Sequence, residues 1–386
     1  MALDQETLDH FLTTVRRFVD EVLIPAEREV ADTDRIPDTI IDAMRDMGLF
    51  GLSLPEEYGG LGMNMEEEAR LVFELARAAP AFRSMIGTNV GIGSQGIFID
   101  GTNTQKERYL PKLASGEMIG SFCLTEPDSG SDAGSLRTTA VKDGNNYILN
   151  GTKRYITNGP IADLYTVMAR TDPNNKGSRG VSAFIVEAGT KGLTRGKPEK
   201  KMGQQGAPVC DIIFENCRVP ADNLIGGQEN MGFKTAMKVL DKGRLNIAAA
   251  CTGLAMRMLD DMIAYAIERK QFGQAIADFQ LIQAMIADSK ADIYAARSMV
   301  LDAAIRRDKG ENISVEASCA KMFTSEMVGR VADRNVQVHG GCGYIADYRA
   351  EQLYRDARLF RIYEGTTQIQ QTIIAKALIH EARLMQ

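Results

Sequence analysis

The feature that most constrains this chain is a double change in the period of its apolar residues. Near the start, Leu8, Phe11, Leu12, Val15, Phe18, Val19, Val22 and Leu23 recur at i, i+3, i+4, i+7, the spacing of one helix face, and Pro25 closes the pattern. Ile40 to Met47 predicts a second helix with Gly48 as its C-cap; Leu54 to Met63 reads as loop by its Pro and Gly content; 65–78 and 104–114 read as helix again. From about residue 120 the texture turns to short β runs. Y-I-L-N-G-T-K-R-Y-I-T-N-G places a hairpin at Asn150-Gly151, and Leu164–Arg170, Val181–Glu187 and Cys210–Asn216 are further strands between turn residues. After Gly232 the helical period returns over 232–269, 278–308, 314–340 and 367–384, with Leu254, Met258, Met262 and Ala266 at i, i+4. The expectation is an α+β fold: an N-terminal helical domain over 1–119, a middle β-barrel or sandwich domain over 120–229, and a C-terminal helical bundle over 230–386.

Composition removes several function classes. With 386 residues, 44% apolar and 25% charged, the chain can bury a large core. A net charge of −6 without a basic block argues against nucleic acid as a partner. No run of 18 apolar residues marks a membrane span. The start M-A-L-D-Q-E-T-L-D-H has no cationic segment followed by an apolar one, so no secretory signal is read; a bacterial cytoplasm or, after processing, a mitochondrial matrix is the expected compartment. Six scattered cysteines without C-x-x-C, and only three histidines, predict no metal site.

The stretch Arg355 to Gln371 (R-D-A-R-L-F-R-I-Y-E-G-T-T-Q-I-Q-Q) carries the most chemistry. Thr367 and Gln370 have the T-x-x-Q spacing of a capping box, and Ile369, Ile373, Ile374, Ala377 and Leu378 follow at helical period. Glu364 therefore falls in the turn before a helix, where backbone rather than a mobile side chain fixes a carboxylate, and where free N–H groups can bind an anion or carbonyl oxygen. Two readings stand at this point: a helix cap beside the charged cluster Arg355, Asp356, Arg358 and Arg361, or a positioned catalytic base.

Five further strings stand in order along the chain. F-C-L-T-E-P-D-S-G-S-D (Phe122 to Asp132) combines short hydroxyl donors with a permissive backbone. Tyr155-Ile156-Thr157 sets an aromatic beside a hydroxyl, L-D-K-G-R (Leu240 to Arg244) lies in the first long C-terminal helix pattern, and E-R-K-Q-F-G (Glu268 to Gly273) closes it with two cations. Q-V-H-G-G (Gln337 to Gly341) ends another. Each alone has an ordinary structural reading as a turn, a core aromatic or a helix end; His339 reads as a helix-end structural histidine.

Taken together with I-Y-E-G-T, these strings resemble the acyl-CoA dehydrogenase family over nearly the whole chain. The resemblance implies a homotetramer with one FAD per subunit, an acyl-CoA substrate, and an electron-transfer flavoprotein as acceptor. It implies that Glu364 is the base that takes the α-proton while the β-hydride goes to the flavin, giving a trans-2-enoyl-CoA. The implied enolate donors are the Glu364 backbone N–H and a ribityl hydroxyl of FAD. The cofactor contacts it implies are Phe122, Leu124, Thr125, Gly130, Ser131, Tyr155, Ile156, Thr157, Gln280, Thr366 and Gln368. Arg269, Phe272, Gln337, Val338, Gly340 and Gly341 would serve the FAD phosphates and adenosine, Arg269 that of a neighbouring subunit. Tyr155 departs from the Trp common at its position. Substrate contacts are implied for Ser131, Asp241, Arg244, Tyr363 and Gly365. One branch carries its base at the position of Gly243, which leaves Glu364 as the only base of the family type.

Arg83, in A-P-A-F-R-S before Met85 to Ile97, has two readings. An arginine near a helix start can snorkel to solvent. Alternatively, Arg83-Ser84 resembles the pair with which the glutaryl-CoA dehydrogenase branch holds a far carboxylate, and its spacing to Glu126 matches without a gap. The resemblance leaves open a dicarboxylyl-CoA dehydrogenase, an acyl-CoA oxidase, and a non-enzymatic binding protein that has kept the fold.

Overall fold

A computed structural model describes residues 3–175 and 177–385; Met1 and Ala2 of the segment read for a signal lie outside them. Seven helices come first: α1 (Gln5–Phe18), α2 (Ile24–Thr33), α3 (Asp38–Asp46), α4 (Met65–Leu75), α5 (Pro80–Ile86), α6 (Gln95–Asp100) and α7 (Asn103–Ser115). Asp4 caps α1 by accepting from the Thr7 N–H. Pro25 does not end the first helical stretch. It sits in the first turn of α2, where a missing N–H costs nothing, and a π-helical segment at Val19–Leu23 joins the two helices into one continuous stretch. Gly48, with φ of 71°, stops the helix after α3, as its position predicts.

The middle of the chain forms one connected seven-stranded sheet, β1 (Gly120–Cys123), β2 (Thr139–Asp143), β3 (Asn146–Thr157), β4 (Leu164–Arg170), β5 (Val181–Glu187), β6 (Leu193–Arg195) and β7 (Val209–Pro220). The order is β1-β4-β2-β3-β7-β6, with β5 antiparallel on β4. The hairpin turn is at Gly144-Asn145, not Asn150-Gly151. Asn150-Gly151 lies inside β3 at a register shift against β7; there a Cβ on Gly151 would strike Thr138, so the glycine serves a close backbone approach rather than a turn.

Helix α8 (Gly232–Glu268) follows, then a small hairpin, β8 (Lys270–Gln271) with β9 (Gln274–Ala275), α9 (Gln280–Asp308), α10 (Ser314–His339), α11 (Arg349–Ala357) and α12 (Thr367–Leu384). The long helices match the sequence periods within a few residues at each end.

The cores do not respect the three stretches. One apolar core joins α1–α3, α5 and α7 to the inner residues Leu164, Met168 and Ile185 of the sheet and to Ala236 and Val239 of α8. A second joins α4, through Met65, Val72 and Phe73, to α8, α9 and α10. The α4 N-terminus is also closed from the bundle: Asp308 at the end of α9 accepts from the Met65 and Glu66 N–H groups at 2.9 Å each.

Candidate active site

The sheet and the C-terminal helices enclose a cavity of about 660 Å³, within the roughly 300–1,000 Å³ typical of ligand sites. Phe122, Leu124 and Thr125 at the end of β1 line it, as do Gly130 and Ser131 in the next loop. Tyr155, Ile156 and Thr157 of β3 form another wall, and Arg244 of α8 with Tyr363, Glu364 and Gly365 closes the far end.

That loop is held by a buried ion pair. The Glu126 carboxylate accepts from the Arg137 N–H at 2.6 Å, the Thr138 N–H at 2.9 Å and Lys153 Nζ at 2.7 Å, and Lys153 donates also to the Leu124 carbonyl at 3.1 Å. Burial opposes ionisation of both partners; Lys153 and the backbone donors nonetheless hold Glu126 below the usual carboxylate range. Removing one partner of such a pair costs about 3–5 kcal/mol. Tyr155 owes its position to backbone geometry: the β3–β7 register shifts between Lys153 and Ile156, Tyr155 takes φ of 57°, and its ring turns out to the cavity mouth.

Glu364 lies in the turn before α12, with φ of 55°, followed by Gly365 at 84°. A left-handed conformation costs a residue with a side chain about 1–2 kcal/mol, and the surroundings offset it. Gln370 Nε2 donates to the Glu364 carbonyl at 3.0 Å and to the Gly365 carbonyl at 3.2 Å; Lys321 Nζ donates to the Gly365 carbonyl at 2.6 Å. The helix cap differs from the Thr367–Gln370 box read from spacing. Thr366 is the N-cap, accepting from the Ile369 N–H; Thr367 donates to Glu326, and Gln370 reaches back to the turn. Thr366 and the exposed Gln368 do not face the cavity.

The Glu364 Oε2 atom is buried and has no hydrogen-bond partner. Burial pushes its carboxyl up from the ordinary range, while Arg83, Arg244 and Lys321 pull it part of the way back. Gly243 lies directly beneath: a Cβ there would come 2.5 Å from Oε2.

Arg83 does not snorkel. It is 7% exposed and lines a second cavity of about 40 Å³ that shares Thr88, Ile92, Thr157, Tyr363 and Glu364 with the larger one. It donates to Asn246 Oδ1, Asn246 Nδ2 donates to Glu68 at 2.7 Å, and Glu68 pairs with Lys242 at 3.1 Å. The guanidinium crosses Gly87, where a Cβ would meet Cζ at 2.7 Å. Asp241 pairs with Arg244 at 2.5 Å and is not on the cavity wall.

Seven other candidates stand apart from this cavity. Arg269 and the 94% exposed Phe272 belong to the β8–β9 hairpin region, Gln280 opens α9, and Gln337, Val338, Gly340 and Gly341 surround the end of α10. His339, at the end of α10, has its Nδ1 2.8 Å from the Asn335 carbonyl, and its ring stacks on Tyr265 at 4.3 Å.

Comparison with known proteins decides the family. The chain matches the models for the acyl-CoA dehydrogenase N-terminal domain over residues 5–117, the middle domain over 121–217 and the C-terminal domain over 230–379. The chain belongs to the acyl-CoA dehydrogenase family. An acyl-CoA dehydrogenase of Bacillus subtilis is 43% identical over 365 residues, 95% of this chain and 96% of that protein. The caffeyl-CoA reductase–Etf complex subunit CarC of Acetobacterium woodii is 42% identical over 351 residues, 91% and 92% of the two chains. Among solved structures, butyryl-CoA dehydrogenase from Megasphaera elsdenii superposes with a TM-score of 0.94 at 37% identity, covering 98% of this chain and 99% of that one. A glutaryl-CoA dehydrogenase–glutaryl-CoA complex does so with a TM-score of 0.92 at 33% identity, covering 98% and 96%. This acyl-CoA dehydrogenase is an oxidoreductase of a family that uses FAD.

Sequence reading missed Lys321, Asn246 and the role of the Gln370 amide. Lys321 had a visible signal: a lone cation among Ala317, Ala320 and Thr324 on the small-residue face of a helix.

Proposed function

We propose that this acyl-CoA dehydrogenase binds FAD in the 660 Å³ cavity and removes an α-proton and a β-hydride from an acyl-CoA thioester, giving a trans-2-enoyl-CoA. The observation that carries the reading is Glu364: a carboxylate whose Oε2 is buried and without a hydrogen-bond partner, held by its backbone where the two cavities meet. An α-proton beside a thioester is a weak acid, so a base must be pre-positioned and kept from water. The wall fits the cofactor: hydroxyls of Thr125, Ser131 and Thr157 and the Tyr155 ring face a space of suitable size, and Glu364 is left facing it. Leu124, Thr125, Ser131, Tyr155, Ile156 and Thr157 would hold the ring system, which supplies the hydride acceptor when bound. Glu364 takes the proton at its free oxygen, and Arg83, Arg244 and Lys321 oppose the negative charge that develops beside it.

An electron-transfer flavoprotein as acceptor is supported by the relative whose own name places it in an Etf complex. Assembly as a homotetramer would give Arg269, Phe272, Gln280 and the Gln337–Gly341 segment a role, since they stand away from the cavity of their own chain. The test is optical. The purified protein should be yellow, bleach with acyl-CoA in the absence of oxygen, and stay bleached when air is admitted. Rapid recolouring with peroxide would mark an oxidase, and no bleaching a binding protein.

A second reading concerns the acyl tail. Arg83 is buried beside Glu364, and with Arg244 paired to Asp241, two cations (Arg83 and Lys321) face one carboxylate. A short tail ending in a carboxylate or another acceptor balances that charge, whereas an alkyl tail leaves Arg83 unanswered. Glutaryl-CoA should be preferred over butyryl-, hexanoyl- and octanoyl-CoA, and Arg83→Ala should reverse the order. Preference of the wild type for plain chains, unchanged in Arg83→Ala, removes this reading.

A further inference from the structure

We infer that Lys321 is a positioning residue of this site: its ammonium fixes the Glu364–Gly365 turn through the Gly365 carbonyl and supplies the charge against which Glu364 holds or releases its proton. The inference rests on the reading of Glu364 as the base. Lys321 lies in the N-terminal third of α10 and is fully buried. Its Nζ is 2.6 Å from the Gly365 carbonyl oxygen, and among the described residues no carboxylate lies within 4 Å of it. A buried ammonium without a close counter-ion is unfavourable, and an apolar residue would fill the same helix face at less cost. Its placement makes sense as part of a two-sided clamp. From α10 Lys321, and from α12 Gln370, converge on one carbonyl; Gln370 also takes the carbonyl of Glu364 itself. Two consecutive left-handed residues are thereby fixed from behind, and the carboxylate is left free on the cavity side.

Glu364 faces Arg83 of α5, Arg244 of α8 and Lys321 of α10. Arg83 is held by Asn246 and Arg244 by Asp241. Lys321 has Cys251 of α8 and Glu326 of its own helix as further neighbours, and burial pulls its ammonium down to about 8, so it is still charged at neutral pH.

Lys321→Met removes both donor and charge. It should lower kcat about tenfold to a hundredfold, the scale of misplacing a reacting group by about 1 Å, with KM little changed, and move the acid limb of the pH–kcat profile to higher pH. Lys321→Gln keeps a donor for Gly365, so it should recover part of kcat while keeping the displaced limb. Gln370→Ala removes clamp without charge and should lower kcat with the limb in place. Infrared titration of the Glu364 carboxyl band, assigned by its loss in Glu364→Gln, should move upward in both Lys321 variants whether or not Glu364 is the base. Activity retained by Glu364→Gln would overturn the base reading alone. An unmoved Glu364 titration in Lys321→Gln, or unchanged kcat and pH profile in Lys321→Met, would overturn the role of Lys321. If the Met variant fails to fold, the Gln variant decides.

Discussion

Replacing Gly243 by alanine should separate stability from activity. Gly243 sits inside the 37-residue helix α8 at an ordinary helical conformation, so the substitution removes a glycine from a helix interior. That exchange favours the helix by about 0.8–1.0 kcal/mol. The three atoms nearest the new methyl would all belong to the Glu364 carboxylate, with Oε2 at 2.5 Å and Cδ and Oε1 at 3.1 Å. Since ordinary contact begins at 3.4 Å, the carboxylate must retreat by about 0.9 Å. It is the far end of a flexible side chain, so the retreat costs the fold little. For a reacting group a displacement of about 1 Å can cost on the order of a hundredfold in rate, or about 2.7 kcal/mol of barrier at 1.36 kcal/mol per decade. Gly243→Ala should therefore lose kcat by roughly that factor, keep its flavin, and melt no lower than wild type. Stopped-flow reduction by a substrate acyl-CoA, with thermal melting alongside, measures both. Wild-type reduction rates in a folded Gly243→Ala protein would refute the placement of Glu364 over Gly243.

Three further outcomes follow from the site. Glu364→Gln should keep fold and flavin and lose at least the ~10²–10⁴-fold typical of a positioned base, read by the same reduction assay. Arg269→Ala should lower the flavin-to-protein ratio after gel filtration with an unchanged circular dichroism spectrum; full flavin occupancy would leave Arg269 as a helix-end charge. Burial pushes Asp356 up to about 6 from 3.8, although the Gln204 N–H and Arg349 oppose it. The folded state thus holds that proton more tightly than the unfolded chain, so ionised Asp356 costs stability above pH 6, and the cost is relieved as pH falls through 6 toward 4. Wild type should gain stability relative to Asp356→Asn between pH 7 and pH 5 in urea melts; parallel pH profiles would sink the argument.

Legibility in the sequence followed the range of the interactions involved. The long helices could be placed because 3.6-residue periodicity is local and strongly repeated, and β4 and β5 because they are continuous apolar runs between turn residues. Three local signals misled. Pro25 resembles a stop but occupies a first turn. Asn150-Gly151 resembles a hairpin turn but sits at a bulge. Thr367 has cap spacing, but Thr366 is the cap. At the site, the sheet-side strings and Glu364 could be grouped from the sequence because the residues that line the cavity fall in short contiguous runs. The burial of Arg83, the clamp on Gly365 and the space above Gly243 were not, because each depends on a partner more than forty residues away.

The sharing of α4 between the early part of the chain and the late bundle has a consequence for biosynthesis. Met65 and Glu66 find Asp308 243 and 242 residues downstream, and Val72 and Phe73 are buried only once α8 to α10 exist. At translation rates of about 5–20 residues per second, that interval is about 12–50 s. Through it, the side of α4 that carries Met65, Val72 and Phe73 must wait on the nascent chain uncovered. A ribosome-bound fragment ending before α8 should therefore be a chaperone client, and the first third of this protein, cut out alone, should expose that side of α4 to water.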